Sequence, residues 1–253
     1  MKDTLRNLIV SFLFAVTSLC AQGLVIPQVA DGGGWSSTVV LTNTTASPIQ
    51  VSLAFYQDTT DGATEPWTPT FEGVPSTEGM LLTPASTVFL QTPGTATTVT
   101  QGWGELIGTT AGVVAYVVYT YTSPTSQATS QGTAQAVIGS SRILVPFDNT
   151  GNLATELAVV NTKSSQVSIS VNIKTSDGTV STGTTLTLPG EGQTAFGMPA
   201  QFKATVGQSG LAEFYTNTGS FAIIALQSNT NPSTGVFSFT TAPVYPQTGA
   251  PII

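Results

Sequence analysis

The sequence predicts an all-β protein built from two related sandwich-like units in tandem, and three observations carry that prediction. After residue 20 no segment keeps a helical period for three turns; short apolar runs alternate instead, bounded by Gly, Pro, Asn and Asp. A set of landmarks occurs twice along the chain, in the same order both times. Turn signals divide each copy into about seven short strands over roughly 100 residues, the size and rhythm of an immunoglobulin-like sandwich. The Cys-Trp-Cys hallmark of antibody domains is absent, so the prediction is of sandwich architecture and not of that family's strand order.

The first 21 residues read differently from the rest. Lys2 and Arg6 precede the 12-residue apolar run Leu8–Leu19, and small residues follow around Cys20-Ala21-Gln22. Such a stretch is the pattern of a secretory signal peptide and is too short for a transmembrane anchor. Cleavage after Cys20 or Ala21 would leave 12 acidic and 4 basic side chains. Cys20 has two readings, a leader residue at the cleavage edge or a lipid-modified cysteine; Leu19 before it is bulkier than a lipobox prefers. No other cysteine exists, so disulfides do not hold the body together, and core packing must.

The two copies begin with Ile26-Pro27 and Val145-Pro146, each followed by a turn, Asp31-Gly32-Gly33-Gly34 or Asp148-Asn149-Thr150-Gly151. Then come Val39-Val40-Leu41-Thr42-Asn43 and Ala158-Val159-Val160-Asn161. The alternating strands Val51–Phe55 and Val167–Ile173 follow, closing on Asp61-Gly62 and Asp177-Gly178. Leu82-Thr83-Pro84 answers Leu188-Pro189, and Gly112–Val118 aligns without gaps on Gly219–Ala225. These matches divide the chain into a leader at 1–21, one unit at 22–140 and a second at 141–253. The run Gly112–Tyr121 is β-branched and aromatic and falls short of the ~20 residues of a membrane helix. It reads as a central strand buried on both faces or at a contact between the units, and so does Gly219–Leu226.

Composition excludes several functions. The net charge is −7 with only six basic residues, too few and too scattered to grip nucleic acid phosphates. There is no histidine, which removes Ser-His-Asp and Cys-His catalysis and His-ligated zinc. Lys163 beside Ser164 and Ser165 falls in an expected hairpin turn, where the amine stays solvated. The glycines at 32–34 open no helix and so read as a turn rather than a phosphate cradle.

What remains is an acidic, aromatic loop. The first unit takes 23 steps from Asp61 to Pro84, where the second takes 12 from Asp177 to Pro189. The extra residues include Glu65, Trp67, Phe71, Glu72 and Glu78, among several prolines. An aromatic beside carboxylates suits a sugar, so Trp67, Phe71, Glu65 and Glu72 are the candidate ligand contacts. Asp58, Asp61 and Glu65 are candidate calcium ligands, although their spacing is not that of an EF-hand. A plain polar loop tip and a paired-carboxylate hydrolase site are the other readings of the same residues. A fifth is that the insertion covers a sheet edge. Trp35 and Trp103 lie beside strands and are expected in the core or between the units.

The stretches Ile26-Pro27 through Trp35, Val145–Gly151 and Asn231-Pro232-Ser233-Thr234-Gly235 resemble a group of uncharacterised secreted bacterial proteins built from tandem sandwich repeats. The resemblance implies export and a sandwich fold and brings no activity or site residue. The expectation is therefore an exported, non-catalytic surface protein of structural or adhesive type, with no cofactor beyond calcium. Its partners would be an extracellular polysaccharide or a protein surface, with no nucleic acid and no transmembrane segment in the mature chain. A carbohydrate-binding module is the alternative.

Overall fold

The computed structural model describes residues 23–58 and 64–253. The leader, Cys20 and Asp61 lie outside the described residues. Eighteen strands follow one another with one helical turn, α1 (Met198–Gln201), and one short 3-10 turn (Lys203–Thr205) among the described residues. No described helix is long and apolar enough to cross a membrane.

The first half supplies β1 (Leu24–Asp31), β2 (Trp35–Asn43), β3 (Ile49–Asp58), β4 (Thr64–Trp67), β5 (Met80–Leu82), β6 (Thr87–Gln91), β7 (Thr100–Gly108), β8 (Val113–Thr122) and β9 (Thr129–Gln135). They form two antiparallel sheets, β1-β7-β3-β4 with β5 also on β3, and β6-β2-β8-β9. The second half supplies β10 (Arg142–Asp148), β11 (Leu153–Asn161), β12 (Val167–Thr175), β13 (Val180–Leu188), β14 (Gln193–Gly197), β15 (Ser209–Tyr215), β16 (Phe221–Thr230), β17 (Phe237–Ala242) and β18 (Tyr245–Pro246). Their sheets are β13-β12-β15-β10-β18 and β14-β11-β16-β17. The order is the same in both halves, with β10 in the place of β1, β15 of β7, β12 of β3, β11 of β2 and β16 of β8.

Alternation builds each core. Val51, Leu53 and Phe55 of β3 point inward, and so do Val167, Ile169, Val171 and Ile173 of β12. They meet Val39 and Leu41, or Leu157 and Val159, from the facing sheet. Burying such aliphatic side chains stabilises each sandwich by about 1.5–3 kcal/mol apiece.

Polar ties recur at matching positions. Asn43 Nδ2 donates to the carbonyls of Ser47 and Leu82, at 2.8 and 3.1 Å, while its Oδ1 accepts from Thr45 N. Asn161 Nδ2 donates to Ser165 O and Pro189 O, both at 2.7 Å, and its Oδ1 accepts from Lys163 N. Each Asn therefore staples the arch between two sheets to the loop before the next strand. Ser37 and Thr155 make a second matched pair, exchanging hydrogen bonds with the backbone of Ala30 and Asp148. The Lys163-Ser164-Ser165 turn is such an arch, joining strands of different sheets, and not the hairpin expected from sequence.

Two departures from the expected alignment have local causes. Two residues, Pro27 and Gln28, stand in β1 where Pro146 stands alone in β10, and β1 takes up the extra residue as a bulge between Ile26 and Val29. The gapless match of Gly112 on Gly219 is one residue out of register. Asn43 pairs with Val113 and Asn161 with Phe221, so Val113 corresponds to Phe221 and not to Ser220.

Both strands are central, yet only one is buried on both faces. In β8 Val113, Ala115, Val117 and Tyr119 are buried, whereas Val114 is 41% exposed, which corrects the expectation of two-sided burial. In β16 every residue from Phe221 to Ala225 is buried. The second face of β16 rests on the first half of the chain, and the second face of β8 has no such cover.

Candidate functional site

The long loop of the first half mainly completes a sheet. Its β4 pairs with the end of β3, setting Trp67 opposite Phe55, and β5 pairs with the start of β3. Between them, Leu53 and Thr77 exchange backbone and hydroxyl hydrogen bonds of 2.9 Å. A single strand, β13, covers the same edge of β12 in the second half.

The aromatic residues of this loop turn inward. Phe71 is 4% exposed, and its ring lies 5.4 Å from that of Phe55. Trp67 is half-buried and meets Phe55 edge-on at 6.3 Å. The carboxylates turn the other way: Glu65 and Glu72 are exposed, and Glu65 accepts a 2.8 Å hydrogen bond from Gln57. Trp67 and Phe71 thus do not form a platform with Glu65 and Glu72, because apolar rings gain more from the core beneath them.

Asp58 points away from Glu65 and across to the second half. Its carboxylate accepts from the backbone N–H of Gln193 at 3.1 and 3.2 Å and from Thr64 Oγ1 at 3.3 Å. Burial raises its pKa above the ordinary carboxylate value, and those two hydrogen bonds only partly oppose the rise. Among the described residues no three acidic or cysteine side chains gather in a metal-binding group.

The structure instead draws attention to the joint between the halves. Trp103, 2% exposed, packs with Val25 against Val160 and Ala222. Its ring stacks on Tyr56 at 4.5 Å, and its Nε1 donates to Glu191 O at 2.8 Å. Gln193 Nε2 donates to the carbonyls of Pro27 and Gly102, at 2.7 and 3.3 Å, and to the side chain of Gln28. The bulge at Gln28 is what turns that side chain and the Pro27 carbonyl toward the second half. At the other side of the joint, Ser130 and Phe239 exchange hydrogen bonds, as do Thr133 and Thr241. Gly132 is required there, since a Cβ would come within 2.8 Å of the Phe239 ring.

Between these two seams lies a cleft of about 340 Å3. Trp35, Tyr119, Phe196, Phe237 and Phe239 supply aromatic walls, and Glu156 supplies a carboxylate that accepts a 2.9 Å hydrogen bond from Ser228. Trp35 sits 5.2 Å from Phe239 and 5.0 Å from Tyr121, so both halves fix its position. Tyr119 is buried and donates to Gln28 O at 2.8 Å; burial drives its phenol pKa far up, and it stays neutral. Trp35 and Trp103 were expected in the core or between the units, and both stand at the joint. Gln193, Glu156 and Phe239 had no distinguishing signal in the sequence, because their partners lie 70 or more residues away.

No family model and no curated protein matches the chain.

Proposed function

We propose that this is an exported, non-catalytic surface protein of structural or adhesive type, made of two tandem immunoglobulin-like sandwich units, 22–140 and 141–253, behind a signal peptide. The observation that supports the reading is the joint: the Trp103 cluster and the Gln193 hydrogen bonds lock two sandwiches into one stiff body. A rigid tandem body suits load-bearing or adhesion better than it suits an enzyme that must open and close. The immunoglobulin-like description rests on β2 pairing with β6 and β3 with β7, the B–E and C–F pairings of that fold. The first and seventh of the fold's strands have changed places: β1 joins β7, and β8 joins β2.

Cell fractionation with sequencing of the mature N-terminus tests export. Recovery in the cytoplasm with Met1 to Ala21 intact overturns the reading.

One observation favours the alternative of carbohydrate binding, namely the aromatic cleft with Glu156 at its edge. Stacking on Trp35 and a hydrogen bond to the carboxylate would hold one or two sugar rings. Glycan-panel binding that disappears in Trp35→Ala would replace the first reading with this one.

A further inference from the structure

We propose that the cleft between the halves is a binding site for a small organic cation, an ammonium group carried on a flat apolar body. Such a site does not depend on export, and a sugar in its place is one outcome of the test.

The cleft forms where the first sandwich meets the second half side-on. The apolar core of the first half runs on without a break to Ala158, Ile224 and Phe239 of the second. The outer face of the β14-β11-β16-β17 sheet therefore closes one side of the first sandwich. The two seams, at Gln193 and at Ser130 with Phe239, hold the halves together and leave a space of about 340 Å3 between them. Sites for small ligands begin near that size and favour the boundary between domains.

Most of the wall is apolar or aromatic, and it contains one carboxylate, Glu156, and no basic side chain. Among the described residues Glu156 makes no ion pair. The other polar groups are largely committed. The Tyr119 hydroxyl donates to Gln28 O, Ser228 Oγ donates to Glu156 Oε1, and the Gln28 side chain engages Gln101 and Gln193. What is left among the described residues is Glu156 Oε2 and the amide nitrogen of Gln101. A sugar ring brings several hydroxyls, each costly to bury without a partner, and two groups satisfy few of them. A single charged nitrogen on an apolar body asks for one counter-charge and an aromatic wall.

Glu156 is placed for that role by its neighbours. On β11 it stands opposite Gly197 of β14 and Leu226 of β16. Its Oε2 lies over Gly197, where a Cβ would come within 2.8 Å, so glycine gives the carboxylate its room. Its Oε1 is fixed by Ser228, which pairs in register with Phe239. Carboxylate and ring thus share one face of the sheet, with Ser228 between them. Trp35 reaches the same place from the first half, 5.2 Å from Phe239 and half-buried. Aromatic faces attract cations through their quadrupole, that of Trp most strongly, and a nearby carboxylate adds to the attraction where water is partly excluded. The net charge of −7 draws cations toward the protein as well. An anion meets the reverse, because no basic side chain in the wall offsets Glu156.

The test is titration calorimetry with ligands of one shape and different charge: tryptamine, its alcohol analogue tryptophol and the anion indolepropionate, with cellobiose as the sugar. Tryptamine should bind about tenfold more tightly than tryptophol, the scale of one partly desolvated cation contact, and indolepropionate more weakly than either. Glu156→Gln leaves an acceptor for Ser228 and should bring tryptamine down to the affinity of tryptophol. Equal affinity of tryptamine and tryptophol for the unaltered protein overturns the proposal without any variant, and so does a lack of tryptamine binding. An advantage of tryptamine that survives Glu156→Gln also overturns it, being the mark of loose attraction to an acidic surface. Cellobiose binding in place of tryptamine overturns it in favour of the carbohydrate alternative. Recovery in the cytoplasm would remove the surface-protein reading and leave these affinities standing.

Discussion

Strands β8 and β16 occupy the same place in the same sheet of the two halves, yet they live in different surroundings. β8 alternates between core and solvent, while β16 is buried on both faces because the first half lies against it. The docked face is smooth, with Ala158 and Ala222 buried; the free face carries Phe89, Tyr116 and Val118. Two-sided burial is thus a property of the neighbour and not of the strand. A run of apolar residues in a sequence records how little charge a strand carries, and says nothing of whether its second face has a partner.

The largest expected effect contrasts the two faces directly. Ala222→Asp places a carboxylate among Val25, Trp103 and Val160 and should cost about 4 kcal/mol in chemical denaturation. If it costs no more than a surface substitution, the joint is not the packed contact described.

Next in size is the ion pair that distinguishes the two sheets of the β1 and β10 type. Arg142 Nε donates to Glu213 at 2.6 Å with both side chains buried, whereas Glu105, in the matching place, faces Gly23. Arg142→Ala should cost about 3 kcal/mol, since it leaves a buried carboxylate without its cation. Among the described residues Glu105 makes no ion pair and feels Lys163 only through its charge, so Glu105→Gln should cost far less.

Asn43→Ala and Asn161→Ala test whether the halves are alike where they look alike. Each should cost about 1–3 kcal/mol by stranding buried carbonyls. A large cost at one and none at the other would break the equivalence.

The carboxylates differ in pH response. Burial raises Asp58 and Glu105, so the folded state keeps their protons to higher pH than the unfolded chain. Their contribution to stability is complete below the ordinary carboxylate range and declines as pH rises through the raised values. Glu213 goes the other way: burial would raise it, but the backbone hydrogen bonds of Ile253 and Ile252, then Arg142, outweigh burial and leave it lowered. Its contribution is present above the unfolded value and fades as pH falls through the folded one. Asp58→Asn should flatten the first trend and leave the acid limb intact, as read from denaturation midpoints across pH.

Smallest of all is Val114→Asp. On the uncovered face it should shift stability by no more than about 0.5 kcal/mol, against the large effect at Ala222.

The one-residue error in matching Gly112–Val118 to Gly219–Ala225 has the same origin as the contrast between β8 and β16. Register is read from alternation, and alternation disappears when both faces are apolar. In β16 the run Phe221-Ala222-Ile223-Ile224-Ala225 offers no polar residue to mark a face, so a slip by one leaves the pattern unchanged. The loop residues Trp67 and Phe71 misled for a related reason. A loop aromatic looks exposed until the chain path that carries it is known; here β4 lays Trp67 half-buried on Phe55, and the Phe71–Val74 bridge beyond it turns Phe71 into the core. The joint was only half legible: two tryptophans beside strands pointed to it, but Gln193, in a turn-rich stretch, did not.

The sequence by itself determined the all-β class, the turns, the inward residues of the regular strands and the order of the duplicated path. These depend on neighbours two to ten residues apart, where period-2 patterning and turn chemistry act. Only the tertiary structure decided which second faces are covered, where Asp58 and Gln193 point, and what seats the C-terminal segment. Those outcomes depend on residues 39 to 166 positions apart whose meeting has no local pattern, because it is set by how the two halves of the chain pack on each other.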